Sequence, residues 1–253
     1  VGRMTTFSAN LGFLWADRPL PDAIRAAKAA GFVAVECHWP YATPAQDIKA
    51  ALDETGLPML GLNTDRGDVS AGDNGLSAIV GREIEARKVI EQAITYARAI
   101  DAGAIHVMAG FAHGSEAEAC FVANLIYACE QAPELTILIE PLNRHDAPGY
   151  FLETTEHARV IIKKVGAPNL KLMFDCYHVA RTEGDLLTRL KDLGDLVGHI
   201  QFASVPDRGA PDHGEINYPW LFEQIDKLEW QTPLGAEYKP GARATKDTLD
   251  WLS

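Results

Sequence analysis

Residues 82–108 read REIEARKVIEQAITYARAIDAGAIHVM. In the first part Ile84, Val89, Ile90, Ala93, Ile94, Ala97 and Ile100 recur at helical spacing, and charges take the opposite face. Gly103 stands where a helix C-cap belongs. The next five residues, AIHVM, are too few for a typical helix and nearly all apolar. That is the pattern of a strand buried on both faces, as in a parallel sheet covered by helices.

The same unit recurs in both directions. Strand-type runs occur at 6–14, 33–37, 57–62, 104–108, 135–141, 170–174, 197–203 and 234–238. Amphipathic helical patterns occur at 21–30, 44–55, 82–102, 115–131, 155–165, 185–193, 218–228 and 244–252. Eight strand-then-helix units predict an α/β fold, a single (β/α)8 TIM barrel over residues 1–253. A doubly wound sheet is the alternative, but no G-x-G-x-x-G or G-x-x-x-x-G-K-[ST] phosphate loop follows the first strand. The longest irregular stretches, 63–81 and 204–217, both follow strands. In a barrel both lie on the face where active sites are built.

Composition narrows the function classes. The chain has 253 residues, 23 Lys plus Arg against 35 Asp plus Glu, and a formal net charge of −12. Its 47% hydrophobic content excludes a disordered chain. No run of three basic residues occurs, which argues against nucleic acid and against an anionic membrane surface. Cys37, Cys120, Cys129 and Cys176 form no C-x-x-C pair, so they read as reduced thiols of a cytoplasmic protein. No apolar stretch reaches the roughly 18 to 20 residues of a membrane span, and no signal-peptide pattern opens the chain. Met4 reads as a natural start, with Val1, Gly2 and Arg3 an addition ahead of it. Barrel exteriors often associate, which leaves a homo-oligomer open.

Four consecutive predicted strands end in an oxygen-bearing side chain. They are Glu140 in ILIEPLN, Asp175 in LMFDCYH, Gln201 in GHIQFASV and Glu237 in LGAEYKP. One acid at a strand end usually caps the next helix or pairs with a cation. Three acids gathered at one barrel mouth repel one another, and a divalent cation is the simplest resolution. Three carboxylates and an amide oxygen form a hard site suited to Mg²⁺ or Mn²⁺. His178, three residues past Asp175, is placed to touch a substrate oxygen. Arg208 lies in the long 204–217 loop and could clamp a carboxylate bidentately, or be an exposed loop charge. His199 and His106 read as core histidines. His38, Trp39 and Tyr41 read as a pocket wall or as core.

HVMAG (106–110), IEPLN (139–143), APGYFL (147–152), FDCYH (174–178), HIQFASVPDR (199–208), HGEINY (213–218) and AEYKP (236–240) together carry a resemblance over nearly the whole chain. The sequence resembles the hydroxypyruvate isomerase family, within the xylose isomerase-like TIM barrel superfamily. The resemblance implies a metal held by Glu140, Asp175, Gln201 and Glu237, with Glu140 and Glu237 as the acid/base pair. It places His178 and Arg208 at positions that contact substrate in related ketose epimerases. One departure is the loop NTDRGD at 63–68, where relatives tend to carry an Asn-x-Pro-x-Gly-Asp pattern. It bears on substrate identity and leaves the reaction class alone.

These expectations describe an enzyme of carbohydrate metabolism, an isomerase acting on a small hydroxy-keto acid. It would interconvert hydroxypyruvate and 2-hydroxy-3-oxopropanoate, or act on a 2-oxo-tetronate or a ketose at C3. A glycosidase would use two glutamates without a metal. A DNA-repair endonuclease of the same superfamily would need a His-rich multi-zinc site and a basic groove. A non-catalytic metabolite-binding barrel would leave the acid pair without a purpose.

Overall fold

The computed structural model describes residues 5–252, so the reading of Met4 as a natural start lies outside the described residues. The chain alternates β1 (Phe7–Asn10), α1 (Leu20–Ala30), β2 (Ala34–Glu36), α2 (Ala45–Thr55), β3 (Leu62–Asn63), α3 (Glu83–Ala99), β4 (Ala104–His106) and α4 (Gly114–Gln131). It continues through β5 (Thr136–Ile139), α5 (Thr155–Val165), β6 (Leu170–Asp175), α6 (Cys176–Thr182), α7 (Leu186–Leu193), β7 (Val197–Phe202), α8 (Tyr218–Lys227) and β8 (Leu234–Ala236).

The strands pair in parallel in the order β2-β1-β8-β7-β6-β5-β4-β3. A parallel bridge between Val35 and Met59 closes the ring. The amides of Val35, Leu60 and Cys37 donate there to the carbonyls of Pro58, Val35 and Gly61. This is the TIM barrel. Its third strand is shorter than the 57–62 run suggests: Leu62–Asn63 form the ladder with β4, and Met59 makes only a single bridge to β2.

Helix signals act at α5 but not at the end of α3. That helix stops at Ala99 with Ile100 as its C-cap, while Gly103, expected to cap it, lies beyond and donates its amide to the Met59 carbonyl. Thr154 accepts a bond from the His157 amide at the start of α5, and Gly166 closes it in a left-handed conformation with φ 68°. In α3, Ala86, Ile90, Ala93, Ile94 and Ala97 turn onto the barrel, while Ile84 lies on the exposed face.

Two helical expectations need correction. The segment at 244–252 is not a helix but two 3₁₀ turns, Thr245–Thr248 and Asp250–Leu252. The hydroxyls there compete with a helical ladder: Thr248 Oγ1 donates to the Thr245 carbonyl at 2.7 Å, and Tyr238 Oη donates to the Thr248 carbonyl at 3.0 Å. Conversely, α6 follows β6 without a break where the sequence suggests only a strand end.

Candidate active site

Register gathers the polar strand ends on one rim. Asp175 pairs with Gln201, and Gln201 with Gly235, two residues before Glu237. Glu140 follows β5 directly. Glu140, Asp175, Gln201 and Glu237 are each exposed by 6% or less. Asp175 does two jobs. Its Oδ1 accepts the Tyr177 amide at 2.8 Å and caps α6, while its Oδ2 has no hydrogen-bond partner among the described residues.

Glu140 Oε1 and Gln201 Oε1 are likewise buried without a partner. Buried oxygens normally find donors, and leaving them unpaired is costly. Burial first, and then the neighbouring Glu237 and Asp175 charges, hold the Glu140 carboxyl well above the ordinary range. Burial and Glu237 push Asp175 up to about 7. The donors are hard, the surplus is negative, and three oxygens lack partners. The residues therefore fit a divalent cation that takes oxygen donors.

Ligand atoms of Glu140, Asp175 and His178 all lie within 4.8 Å of one another. The bonding of His178 argues for a different role. The Asn143 amide donates to its Nδ1 at 3.0 Å, and the Asn143 side-chain nitrogen lies 2.8 Å from the same atom. That side-chain nitrogen is fixed as a donor because Asn143 Oδ1 accepts from the amides of His145 and Asp146. A neutral ring with Nδ1 accepting carries its proton on Nε2. Burial, helped by Arg208, keeps the ring neutral by pushing its pKa well down. Nε2 lies 3.3 Å from Arg208 Nη2, 3.7 Å from Asp175 Oδ2 and 3.9 Å from Glu140 Oε1, so this edge of the ring faces into the site.

Glu237 stands to one side of this cluster. Its Oε1 accepts from Arg208 Nη2 at 3.0 Å and lies 3.3 Å from His38 Nε2. The Arg208 guanidinium sits 4.9 Å from the Phe13 ring and 5.0 Å from the Tyr177 ring. Its side chain is 14% exposed, so it is no free loop charge. Its backbone is left-handed, φ 58°, held by bonds from its amide to the Ser204 carbonyl and from the Lys239 amide to its own carbonyl. Such strain persists only where surroundings enforce it, and it clusters at functional sites. His106, read from sequence as core, also reaches the site: its Nδ1 lies 3.6 Å from Glu140 Oε2.

Sequence reasoning missed Glu36, at the end of β2. Its Oε1 accepts from Gln201 Nε2 at 2.7 Å and from Asn10 Nδ2 at 3.1 Å; its Oε2 lies 2.6 Å from His199 Nε2. Burial pushes the Glu36 carboxyl up, but His199 and these amides outweigh it and hold the group ionised. His199 is thus a partnered histidine, as expected. Gly235 makes room for this pair: a Cβ there would lie 2.7 Å from Glu36 Oε1 and 2.9 Å from His199 Nε2. Gly235→Ala should destabilise the protein by about 1–3 kcal/mol, as overpacking does. An unshifted midpoint in urea unfolding would show that the pair moves aside freely.

The family model for the xylose isomerase-like TIM barrel matches residues 24–253. The chain is 43% identical over 255 residues to a 2-oxo-tetronate isomerase of Cupriavidus necator, covering 98% of each chain. It is 37% identical over 256 residues to a hydroxypyruvate isomerase of Escherichia coli strain K12, again over 98% of each. A solved structure described as an AP endonuclease, family 2, from Brucella melitensis matches with a TM-score of 0.94 at 37% identity, covering 98% of both chains.

Proposed function

The chain belongs to the xylose isomerase-like TIM barrel family, and from that premise we propose that it is an aldose–ketose isomerase of a short hydroxy-keto acid. On this reading it interconverts hydroxypyruvate and 2-hydroxy-3-oxopropanoate within one barrel domain. Its cofactor is Mg²⁺ or Mn²⁺, held by Glu140, Asp175, Gln201 and Glu237. The observation that carries the reading is the set of three unpartnered buried oxygens on Glu140, Asp175 and Gln201. When bound there, the ion supplies Lewis-acid stabilisation of charge developing on substrate oxygen.

The residues do the rest. One of Glu140 and Glu237 removes a proton from C3 of hydroxypyruvate, giving an enediolate. The other returns a proton at C2, while the C3 hydroxyl gives up its proton and the C2 oxygen gains one, leaving an aldehyde at C3 and a hydroxyl at C2. His178 donates its Nε2 proton toward a substrate oxygen, and Arg208 is the partner for the substrate carboxylate. The four cysteines are free and buried, which supports a reducing, cytoplasmic location. Among the described residues no helix is long and apolar enough to cross a membrane.

A second reading keeps the chemistry and lengthens the substrate to a 2-oxo-tetronate, favoured by the Cupriavidus necator relative. A ketose epimerised at C3 is a more distant variant. The name of the Brucella melitensis relative raises phosphodiester cleavage. A net charge of −12 speaks against a DNA-tracking surface.

The test is turnover by metal-stripped protein with and without added Mg²⁺ or Mn²⁺. Hydroxypyruvate and a 2-oxo-tetronate are offered in parallel, and a reductase specific for 2-hydroxy-3-oxopropanoate reports the first. Cation-dependent turnover of either acid is expected, and the larger kcat/KM identifies the substrate. Turnover undiminished by stripping the metal, or none on either acid, would overturn the reading.

A further inference from the structure

We infer that Glu36 is a positioning residue for the cation site: it orients the Gln201 amide so that the oxygen, rather than the nitrogen, faces the ion. The inference rests on the metal reading above and concerns how this chain builds the fourth ligand.

A carboxylate only accepts hydrogen bonds, whereas a primary amide has a donor end and an acceptor end. Glu36 Oε1 lies 2.7 Å from Gln201 Nε2. The flipped amide would set two acceptor oxygens at that distance, so the network permits one orientation. With its nitrogen engaged, Gln201 turns Oε1 to the other side. There that oxygen is buried without a partner, on the residue paired in register with Asp175, whose Oδ2 is also unpartnered.

Glu36 is itself immobilised. Ser8 Oγ donates to its Oε2 at 3.2 Å, and His199 Nε2 lies 2.6 Å from the same oxygen. Asn10 Nδ2 donates to Oε1, and the Asn10 amide is fixed in turn because its Oδ1 accepts the Gly12 amide at 2.9 Å. Packing needs no such charge: a buried ion pair can often be replaced by apolar residues without loss of stability. What it provides is direction. A glutamine free to rotate could offer nitrogen or oxygen; this one is confined to oxygen, which keeps the ligand set hard and favours Mg²⁺ or Mn²⁺. Residues that orient metal ligands in this way typically change metal affinity 10–100-fold when replaced.

The experiment is titration of metal-stripped protein with Mn²⁺ alone, followed by loss of the free-ion electron paramagnetic resonance signal. Glu36→Gln should bind Mn²⁺ about 10–100-fold more weakly than wild type. The exchange Glu36→Gln with Gln201→Glu should recover most of that loss, because an amide at 36 now donates to a carboxylate at 201. A purely structural role would lower thermal stability and leave Mn²⁺ affinity of the folded protein unchanged; that result would overturn the inference.

Wild-type protein labelled with ¹⁵N in its glutamine side chains decides the matter if the variants fail to fold. Loaded with Mg²⁺, it should show the Gln201 side-chain amide protons protected from exchange by their bond to Glu36, and fast exchange would overturn the assignment. Absence of Mn²⁺ uptake by wild type would instead remove the metal reading, and this inference with it.

Discussion

Glu237→Gln is expected to lower turnover of the keto acid by about 10²–10⁴-fold with the fold intact, the usual worth of a positioned proton-transfer group. The substitution is close to isosteric. An amide oxygen can still accept from Arg208 Nη2, which now donates to Glu237 Oε1 at 3.0 Å, so the guanidinium keeps its place between Phe13 and Tyr177. What is lost is the ability to take up or return a proton. Glu140→Gln should reduce turnover comparably but weaken cation binding more, because Glu140 Oε1 is one of the unpartnered oxygens whereas Glu237 is already engaged by Arg208. Exchange of the C3 hydrogen with deuterated water then orders the two. A variant that exchanges C3 but makes no product has lost the group that delivers the proton to C2. A variant that does neither has lost the first base. Near-wild-type kcat in Glu237→Gln would remove Glu237 from the acid/base pair.

How much of this was legible in the sequence follows from the range of the interactions. The α5 boundaries at 155–165 match because both signals are local: Thr154 caps within three residues and Gly166 needs only its own φ. The rim acids were legible because strand ends repeat with the β/α unit, so Glu140, Asp175, Gln201 and Glu237 stand out by position. Asp175 shows that capping leaves an oxygen to spare, since Oδ1 caps α6 and Oδ2 stays unpartnered. Glu36 was invisible for the opposite reason. Its partners, His199 and Gln201, lie 163 and 165 residues away, and a lone acid in VECHW gives no sign of them. Helix α6 was hidden because its cap is the last residue of a strand, leaving no turn residues to announce it. The false helix at 244–252 came from apolar spacing, which carries no sign that Tyr238 would claim the Thr248 carbonyl.

The second large effect is a pH-dependent one on the metal-free protein. Unfolded carboxyls give up their protons near pH 4. In the folded chain Asp175 is pushed up to about 7, and Glu140 is raised well beyond its usual range. Between those limits the folded state binds more protons than the unfolded one, so stability falls as pH rises. For Asp175 alone the loss amounts to about 4 kcal/mol at most across pH 4 to 7. A divalent cation replaces the protons and removes the penalty, because its ligands must be deprotonated to bind it. The increase in Tm on adding Mg²⁺ or Mn²⁺ should therefore be small near pH 5 and large near pH 8. Calorimetry near pH 6.5 should register proton release on binding. Taking the difference between loaded and stripped protein cancels groups common to both, including the Glu36–His199 pair, whose own shifts favour the charged forms. A cation-induced Tm gain that stays level from pH 5 to pH 8 would mean that Glu140 and Asp175 are already ionised without the metal. The three unpartnered oxygens would then need a different explanation from a shared cation.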